Sequence, residues 1–228
     1  MPKKGQLDTM NSTSDLSEYS VPQRDRLAFI ELLLFFMGEL RRSDIVSRFG
    51  IQSAAATRDL AIYKKLVPSN IDYDTKEKTY VLGQAFKPLF QFSPERVLSW
   101  ITQSFGDGEP AQLKSWLATD TPARLTQPAL DTLSVVTRAI HQHSVLAMHY
   151  HSLSSGLTQR EIVPFALIDN GQRWHVRAYD RHHQDFRDFV ITRIQHPQLL
   201  KDSTIQPHEL SDQDIQWTRS VELDLMPH

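Results

Sequence analysis

The stretch Arg41–Leu82, RRSDIVSRFGIQSAAATRDLAIYKKLVPSNIDYDTKEKTYVL, decides how the N-terminal part of this 228-residue chain folds. Its first piece, SDIVSRF, is patterned as a short amphipathic helix, with Ser43 as N-cap and Ile45, Val46 and Phe49 on the apolar side. Gly50 follows as a residue able to close a helix in the left-handed region. A second helix is expected from about Ser53 to Leu66, burying Leu60, Ile62, Tyr63 and Leu66, and Pro68 stops it. Two β-prone runs, IDYD and KTYVL, flank a charged turn and read as a hairpin. Helix, tight turn, helix and hairpin make a winged helix-turn-helix. That arrangement lays its second helix in the DNA major groove while the hairpin touches the backbone alongside.

The side chains suit that geometry. Gln52, Ser53, Thr57 and Arg58 occupy the front of the second helix, the end that reaches base edges, and Ala54, Ala55 and Ala56 allow close approach to a groove floor. Arg42 and Ser43 open the preceding helix and join this set. Lys64, Lys65, Lys76 and Lys78 are placed to meet phosphates, which positions a protein without reading sequence. Taken singly, the alanines also fit plain helix propensity and each lysine a solvated face; as a block, the order of elements and the charge agree on DNA.

Composition narrows the function classes. The chain is long enough for one large domain or two modest ones, and 40% apolar with 23% charged residues is ordinary for a globular protein. It has no cysteine, which excludes a disulfide framework and a thiolate zinc site. No apolar run approaches membrane-spanning length and no signal-peptide core is present, so a cytoplasmic protein with no membrane partner is expected. The net charge is −2, but Pro22–Pro88 carries 11 Lys+Arg against 8 Asp+Glu, whereas Leu89–His228 carries 12 against 16. A basic segment on an acidic remainder is what a chain with one DNA-facing end shows.

Outside the opening stretch, residues 1–21 are polar and unpatterned, as in a flexible tail. Gln23–Leu40 is a strongly apolar helix that completes a winged domain over residues 22–90. Residues 91–125 read as a helical connector: Ser93-Pro94-Glu95 starts a helix, Phe105–Pro110 breaks it, and Gln112–Leu117 is a further short helical turn. From Pro128 to His143 another helix is expected, and from Val145 the period changes to that of strands: VLAMHYHS, REIVPFALI, RWHVRAYD and FRDFVITRI, with turns at Gly156 and Asn170-Gly171. After Pro197 the pattern becomes irregular, and Trp217–Leu225 reads as one more strand. The expected class is α+β, with a small, mostly antiparallel sheet domain over residues 126–205.

The runs Pro164–Leu167, Gly171–Val176, Phe186–Phe189 and Thr192–Ile194, with Tyr150-His151-Ser152 upstream, resemble a WYL domain. Trp174-His175-Val176 stands at the Trp-Tyr-Leu run and departs from it at two positions. The layout is similar to regulators found beside bacterial phage-defence operons of the BREX and CBASS kinds. The resemblance implies an Sm-like sheet that senses a nucleotide or nucleic-acid effector and alters DNA binding. It also implies a C-terminal dimerisation extension, of which residues 206–228 are expected to be the start of a shortened or missing version.

Alternation places His175, Arg177 and Tyr179 on one strand face and Trp174, Val176 and Ala178 on the other; Tyr150 with Ser152, and Arg187 with Arg193, likewise share faces. Converging on one surface, Tyr150, Ser152, His175, Arg177, Arg187 and Arg193 would form an anion site whose arginines can grip a phosphate and stack on a base, and Trp174 is a further ligand-binding candidate. The plainer reading pairs Arg187 and Arg193 with Asp185, Asp188 or Glu161 as surface salt bridges.

Ten histidines, including His149 with His151 and His182-His183, reproduce no metalloenzyme spacing, so no metal is expected. No Gly-rich phosphate loop, GxSxG elbow or kinase signature is present. The expectation is a non-enzymatic, cofactor-free transcriptional regulator, a repressor by its resemblance, that binds a palindromic double-stranded operator as a homodimer. The competing readings are a nucleic-acid-sensing accessory subunit whose winged helix contacts protein, and a nucleotide-processing enzyme in the sheet domain.

Overall fold

A computed structural model of the chain describes residues 16–102 and 127–222. The chain divides into two compact units, Met1–Leu34 with Glu39–Phe90, and Phe35–Gly38 with Gln91–His228.

In the first unit, helix α1 (Val21–Met37) buries Leu27, Ile30 and Leu34 completely. It begins two residues earlier and stops three residues sooner than its apolar pattern suggested. Gly38, at φ 84°, breaks it, and Glu39–Leu40 leave as a short strand, β1, that pairs with β3 (Thr79–Leu82). The Leu40 carbonyl accepts a hydrogen bond from Thr79 Oγ1 at 3.0 Å, which fixes that departure.

Helix α2 (Arg42–Phe49) starts one residue before the expected Ser43 cap. Arg41 is the flanking residue, and its backbone N–H is satisfied by the Asp44 carboxylate at 2.6 Å, so the third helical position does the capping from inside. Gly50 closes α2 at φ 62°, as expected. Helix α3 (Ser53–Leu66) and the hairpin β2 (Ile71–Asp74)–β3 also follow the sequence reading, and the three strands form a sheet in the order β1-β3-β2. The wing turn is shaped by the Asp74 side chain, which accepts from the N–H groups of Lys76 (2.8 Å) and Glu77 (3.1 Å).

The second unit holds α4 (Pro94–Thr102), α5 (Leu130–His141) and a five-stranded antiparallel sheet in the order β7-β6-β5-β4-β8. Ser93 opens α4, its Oγ accepting from Arg96 N at 3.2 Å. The break and short turn expected at 105–117 lie outside the described residues, as do residues 1–15 of the tail. The strands are β4 (Val145–Ser152), β5 (Gly156–Asp169), β6 (Trp174–Asp180), β7 (Asp185–Val190) and β8 (Ile194–Leu200). FRDFVITRI is therefore not one strand: a 3-10 turn at Ile191–Arg193 separates β7 from β8.

Two further expectations are corrected. The chain does not become irregular after Pro197, because β8 runs through it to Leu200. β8 is an edge strand, and its pairing with β4 shifts register between Ala147 and His149, a bulge beside Pro197 where a missing N–H costs no ladder bond. Trp217–Leu225 does not start as a strand either. Ile215–Thr218 is a short helix, α6, nucleated by Asp214, whose side chain accepts from Gln216 N and Trp217 N.

Gly83 shows how tightly the winged unit closes. Its N–H donates to Asn70 O at 3.0 Å, and an added Cβ would stand 2.0 Å from the Ser69 carbonyl oxygen. Gly83→Ala is expected to lower stability by about 3 kcal/mol through forced backbone movement. Urea denaturation would show this as a lower midpoint at unchanged slope.

Candidate functional site

Helix α3 carries two stripes. Ala56, Asp59, Leu60 and Tyr63 are buried, while Ser53, Ala54, Thr57, Arg58, Ala61, Lys64 and Lys65 are exposed. Gln52 is exposed just ahead of the helix, Arg42 and Ser43 are exposed at the start of α2, and Lys76 and Lys78 are exposed on the wing. Apart from the half-buried Ala55 and the buried Ala56, the DNA-binding candidates thus lie on the surface of the winged unit. Arg42 Nη1 donates to Thr57 Oγ1 at 3.3 Å, and Thr57 Oγ1 donates to Ser53 O at 2.9 Å, so α2 and the front of α3 are tied by side chains that face solvent. One small residue is excluded: Ala56 has no exposed surface and belongs to the core, so close approach rests on Ala54.

Behind that stripe, α3 is held by polar groups. Asp59, 2% exposed, accepts from Arg26 Nε at 2.6 Å and from Gln23 Nε2 at 3.1 Å. One turn later, the Tyr63 hydroxyl donates to Glu31 Oε2 at 2.9 Å and accepts from Asn70 Nδ2 at 3.2 Å. Glu31 also accepts from the N–H groups of Leu89 (2.9 Å) and Phe90 (2.8 Å). Burial pushes the Glu31 carboxyl up, and the N–H groups of Phe90 and Leu89 and the Tyr63 hydroxyl offset this only in part. Burial and the Glu31 charge push the Tyr63 hydroxyl up as well, which keeps it a donor.

The sheet separates what alternation was expected to bring together. The regular pairing of β6 with β7 sets His175 opposite Val190, Arg177 opposite Asp188 and Tyr179 opposite Phe186, confirming that these residues share a face. The same register sets Arg187 opposite Ala178, on the other face with Trp174 and Val176. Tyr150 and Ser152 also belong to that second face, because Ile162 pairs with both Leu146 and Asp180. Arg193 sits in the turn between β7 and β8. The single convergent site is therefore split over two faces.

Several of its members are already engaged. Tyr150 Oη accepts from Val190 N at 3.2 Å, and the Tyr150 ring meets Phe189 edge to face. Ser152 organises the β4–β5 turn through the N–H groups of Ser154 and Ser155. Arg177, 6% exposed, grips Asp214 with Nε at 2.7 Å and Nη2 at 3.0 Å, and reaches Asp188 at 3.3 Å and Gln216 at 3.1 Å. Arg181 holds Glu209 in the same two-pronged way, at 2.7 and 2.9 Å. These pairs strap the segment after β8 across the His175–Tyr179 face, with Ile205 packed on Val145, Val163 and Tyr179. The side chains of Arg187 and Arg193 form no hydrogen bond or ion pair among the described residues, so the surface salt bridges considered for them do not form. Among the described residues no cluster of His, Asp and Glu is placed to hold a metal, and no helix is long and apolar enough to cross a membrane.

Comparison with known proteins agrees with both units. Residues 22–103 match the BrxR transcriptional regulator winged helix-turn-helix domain, and residues 131–199 match the WYL domain. A DNA-binding transcriptional repressor CapW of Pseudomonas aeruginosa is 33% identical over 214 residues, which cover 90% of this chain and 70% of that protein. The chain belongs to the CapW family. A CapW repressor of Escherichia coli (strain KTE188) is 29% identical over 213 residues, with the same coverage. Among solved structures, Proteasome accessory factor B/C (PafBC) of Arthrobacter aurescens matches at a TM-score of 0.32 and 19% identity, over 81% of this chain and 34% of that one.

Sequence reasoning about this CapW-family chain missed Glu31, Asp59 and the strap. A glutamate within an apolar helix carries no local sign of being fully buried. Asp59 and Tyr63 did leave a trace: four residues apart, they fall on the stripe of α3 that the apolar pattern marked as inward. Asp214 and Glu209 left none, because the arginines they meet lie 37 and 28 residues away in the chain.

The strap has a pH signature. Burial pushes the Asp214 and Glu209 carboxyls up, but the bonds and charge of Arg177 and Arg181 outweigh it, leaving both below the usual carboxylate range. A folded-state pKa below the unfolded one contributes stability that is complete above the ordinary carboxylate range. That contribution is lost as pH falls through the depressed values. Asp214→Asn is expected to cost about 2 kcal/mol at neutral pH and to flatten the acid side of the stability profile, as followed by urea denaturation between neutral pH and about pH 3.

Proposed function

We propose that this chain is a transcriptional repressor that reads an operator with α3, the start of α2 and the wing. The observation that carries the reading is the outward stripe of α3. Base-reading types, Gln52, Ser53, Thr57 and Arg58, cluster at its front; Lys64 and Lys65 follow toward its end, and Lys76 and Lys78 stand on the wing. Membership of a family of repressors agrees with it. The reaction is binding alone: occupancy of the operator excludes transcription, and no bond is made or broken.

The finer parts of the proposal are a palindromic operator bound by a homodimer, a phage-defence operon as the regulated locus, action in the cytoplasm, and a nucleotide-like effector at the WYL domain. For the effector, Trp174 and Arg193 are the supporting residues. Trp174 is half-buried at the start of β6, and β6 packs against the turn that carries Arg193. There an indole offers a stacking surface and a guanidinium with no partner among the described residues offers a phosphate grip.

Titration of the DNA upstream of the chain's own gene, against a scrambled duplex and at several salt concentrations, tests the reading. Arg58→Ala is expected to cost about 1–3 kcal/mol on the operator and to erase most of the discrimination. Lys78→Ala is expected to weaken both duplexes alike and to reduce the salt slope by about 1. Equal effects of the two variants on both duplexes would remove Arg58 as a reader.

A further inference from the structure

We propose that Glu31 and Tyr63 are positioning residues that couple the seating of the recognition helix α3 to Lys87–Phe90, the segment through which the chain leaves the winged unit. The inference rests on the operator reading given above and adds a route by which that reading is controlled.

Apolar packing is non-directional, so by itself it leaves the rotation and sliding of α3 loosely defined. Hydrogen bonds depend steeply on distance and angle. α3 has two such anchors on its inner face, Asp59 and Tyr63, one turn apart. Both reach α1, the first at Gln23 and Arg26 and the second at Glu31. A rotation of α3 that re-aims Thr57 and Arg58 must stretch one of them.

The two anchors differ in what else they hold. Among the described residues, the Asp59 carboxylate bonds side chains of α1 alone. The Tyr63 anchor is shared with the exit segment twice over. Glu31 Oε2 takes both the Tyr63 hydroxyl and Leu89 N at 2.9 Å, while Oε1 takes Leu89 N at 2.9 Å and Phe90 N at 2.8 Å. Asn70, which donates to Tyr63 Oη, also donates to Lys87 O at 2.7 Å and accepts from Lys87 N at 2.8 Å. Glu31, Tyr63 and Asn70 have no exposed surface, so a broken bond in this circuit is not replaced by bulk water. Displacement of Leu89 or Phe90 thus forces the Glu31 carboxylate to turn or lose a donor, and Tyr63 moves with it.

Coupling of this kind is reciprocal: DNA that fixes α3 must also tighten the N–H bonds of Leu89 and Phe90. Amide hydrogen exchange on the full chain reads this directly, with the duplex from upstream of its own gene and a scrambled duplex as probes. In the wild type the operator slows exchange at Leu89 and Phe90 about tenfold more than the scrambled duplex does. Tyr63→Phe removes that slowing while the chain keeps a cooperative melt, and Glu31→Gln, close in shape, reduces it. Asp59→Asn weakens operator binding yet leaves the DNA-induced slowing in place, which a merely structural role for Glu31 and Tyr63 does not predict.

The proposal is overturned if the wild type binds the operator selectively without slowing Leu89 and Phe90, or if both Tyr63→Phe and Glu31→Gln retain the full slowing. Failure of the wild type to prefer the operator in the accompanying titration overturns the operator reading, and this inference falls with it.

Discussion

A carboxylate with no exposed surface lies at the centre of the winged unit, and the surrounding backbone is arranged to supply it with donors. An unpaired buried charge costs several kcal/mol, so Glu31 is tolerated only while the Tyr63 hydroxyl and the N–H groups of Leu89 and Phe90 point at it. That requirement fixes the inner face of α3, and with it the direction of the outer face. The exposed row from Ser53 to Lys65 is one consequence of a bond made on the opposite side of the helix. The Asp59–Arg26 pair repeats the device one turn earlier, which makes the orientation of α3 over-determined.

The sheet unit uses the same chemistry for another end. Two arginines on or just beyond β6, Arg177 and Arg181, each take a carboxylate from the segment after β8 with two parallel N–H bonds. Each carboxylate also serves the strap's own turns: Asp214 starts α6, and Glu209 accepts from Gln206 N at 2.7 Å. The strap leaves Ile215 78% exposed, but Ile205 packs on the sheet and the half-exposed Trp217 ring meets Phe165 edge to face at 5.5 Å, so apolar contacts add to the ion pairs at Arg177 and Arg181. This is why Arg177, whose residue type suggests a ligand contact, is satisfied within the chain.

The winged helix-turn-helix was legible because its signals are local. Gly50, Pro68 and the two β-prone runs mark element ends by backbone preference alone, and exposure on α3 follows from its period. What escaped is long-range. Whether Glu31 faces water or a tyrosine 32 residues away is not written in its neighbours. The distribution of the sheet candidates over two faces depended on the register of β6 with β7. Register also decides that Arg187 stands opposite Ala178 and therefore away from Arg177. The strand expected at Trp217 failed for a local reason that was readable: Asp214 is a good N-cap, and it pulled Ile215–Thr218 into a helical turn.

On the operator reading proposed above, α3 enters the major groove and reads bases there. Dimethyl sulfate protection of the operator complex tests it most directly, because the reagent reports guanine N7 on the major-groove edge. Protection of discrete guanines within the bound site is expected, with at least one released when Arg58 is replaced by alanine. Selective binding that leaves every guanine N7 as reactive as in free DNA would contradict it.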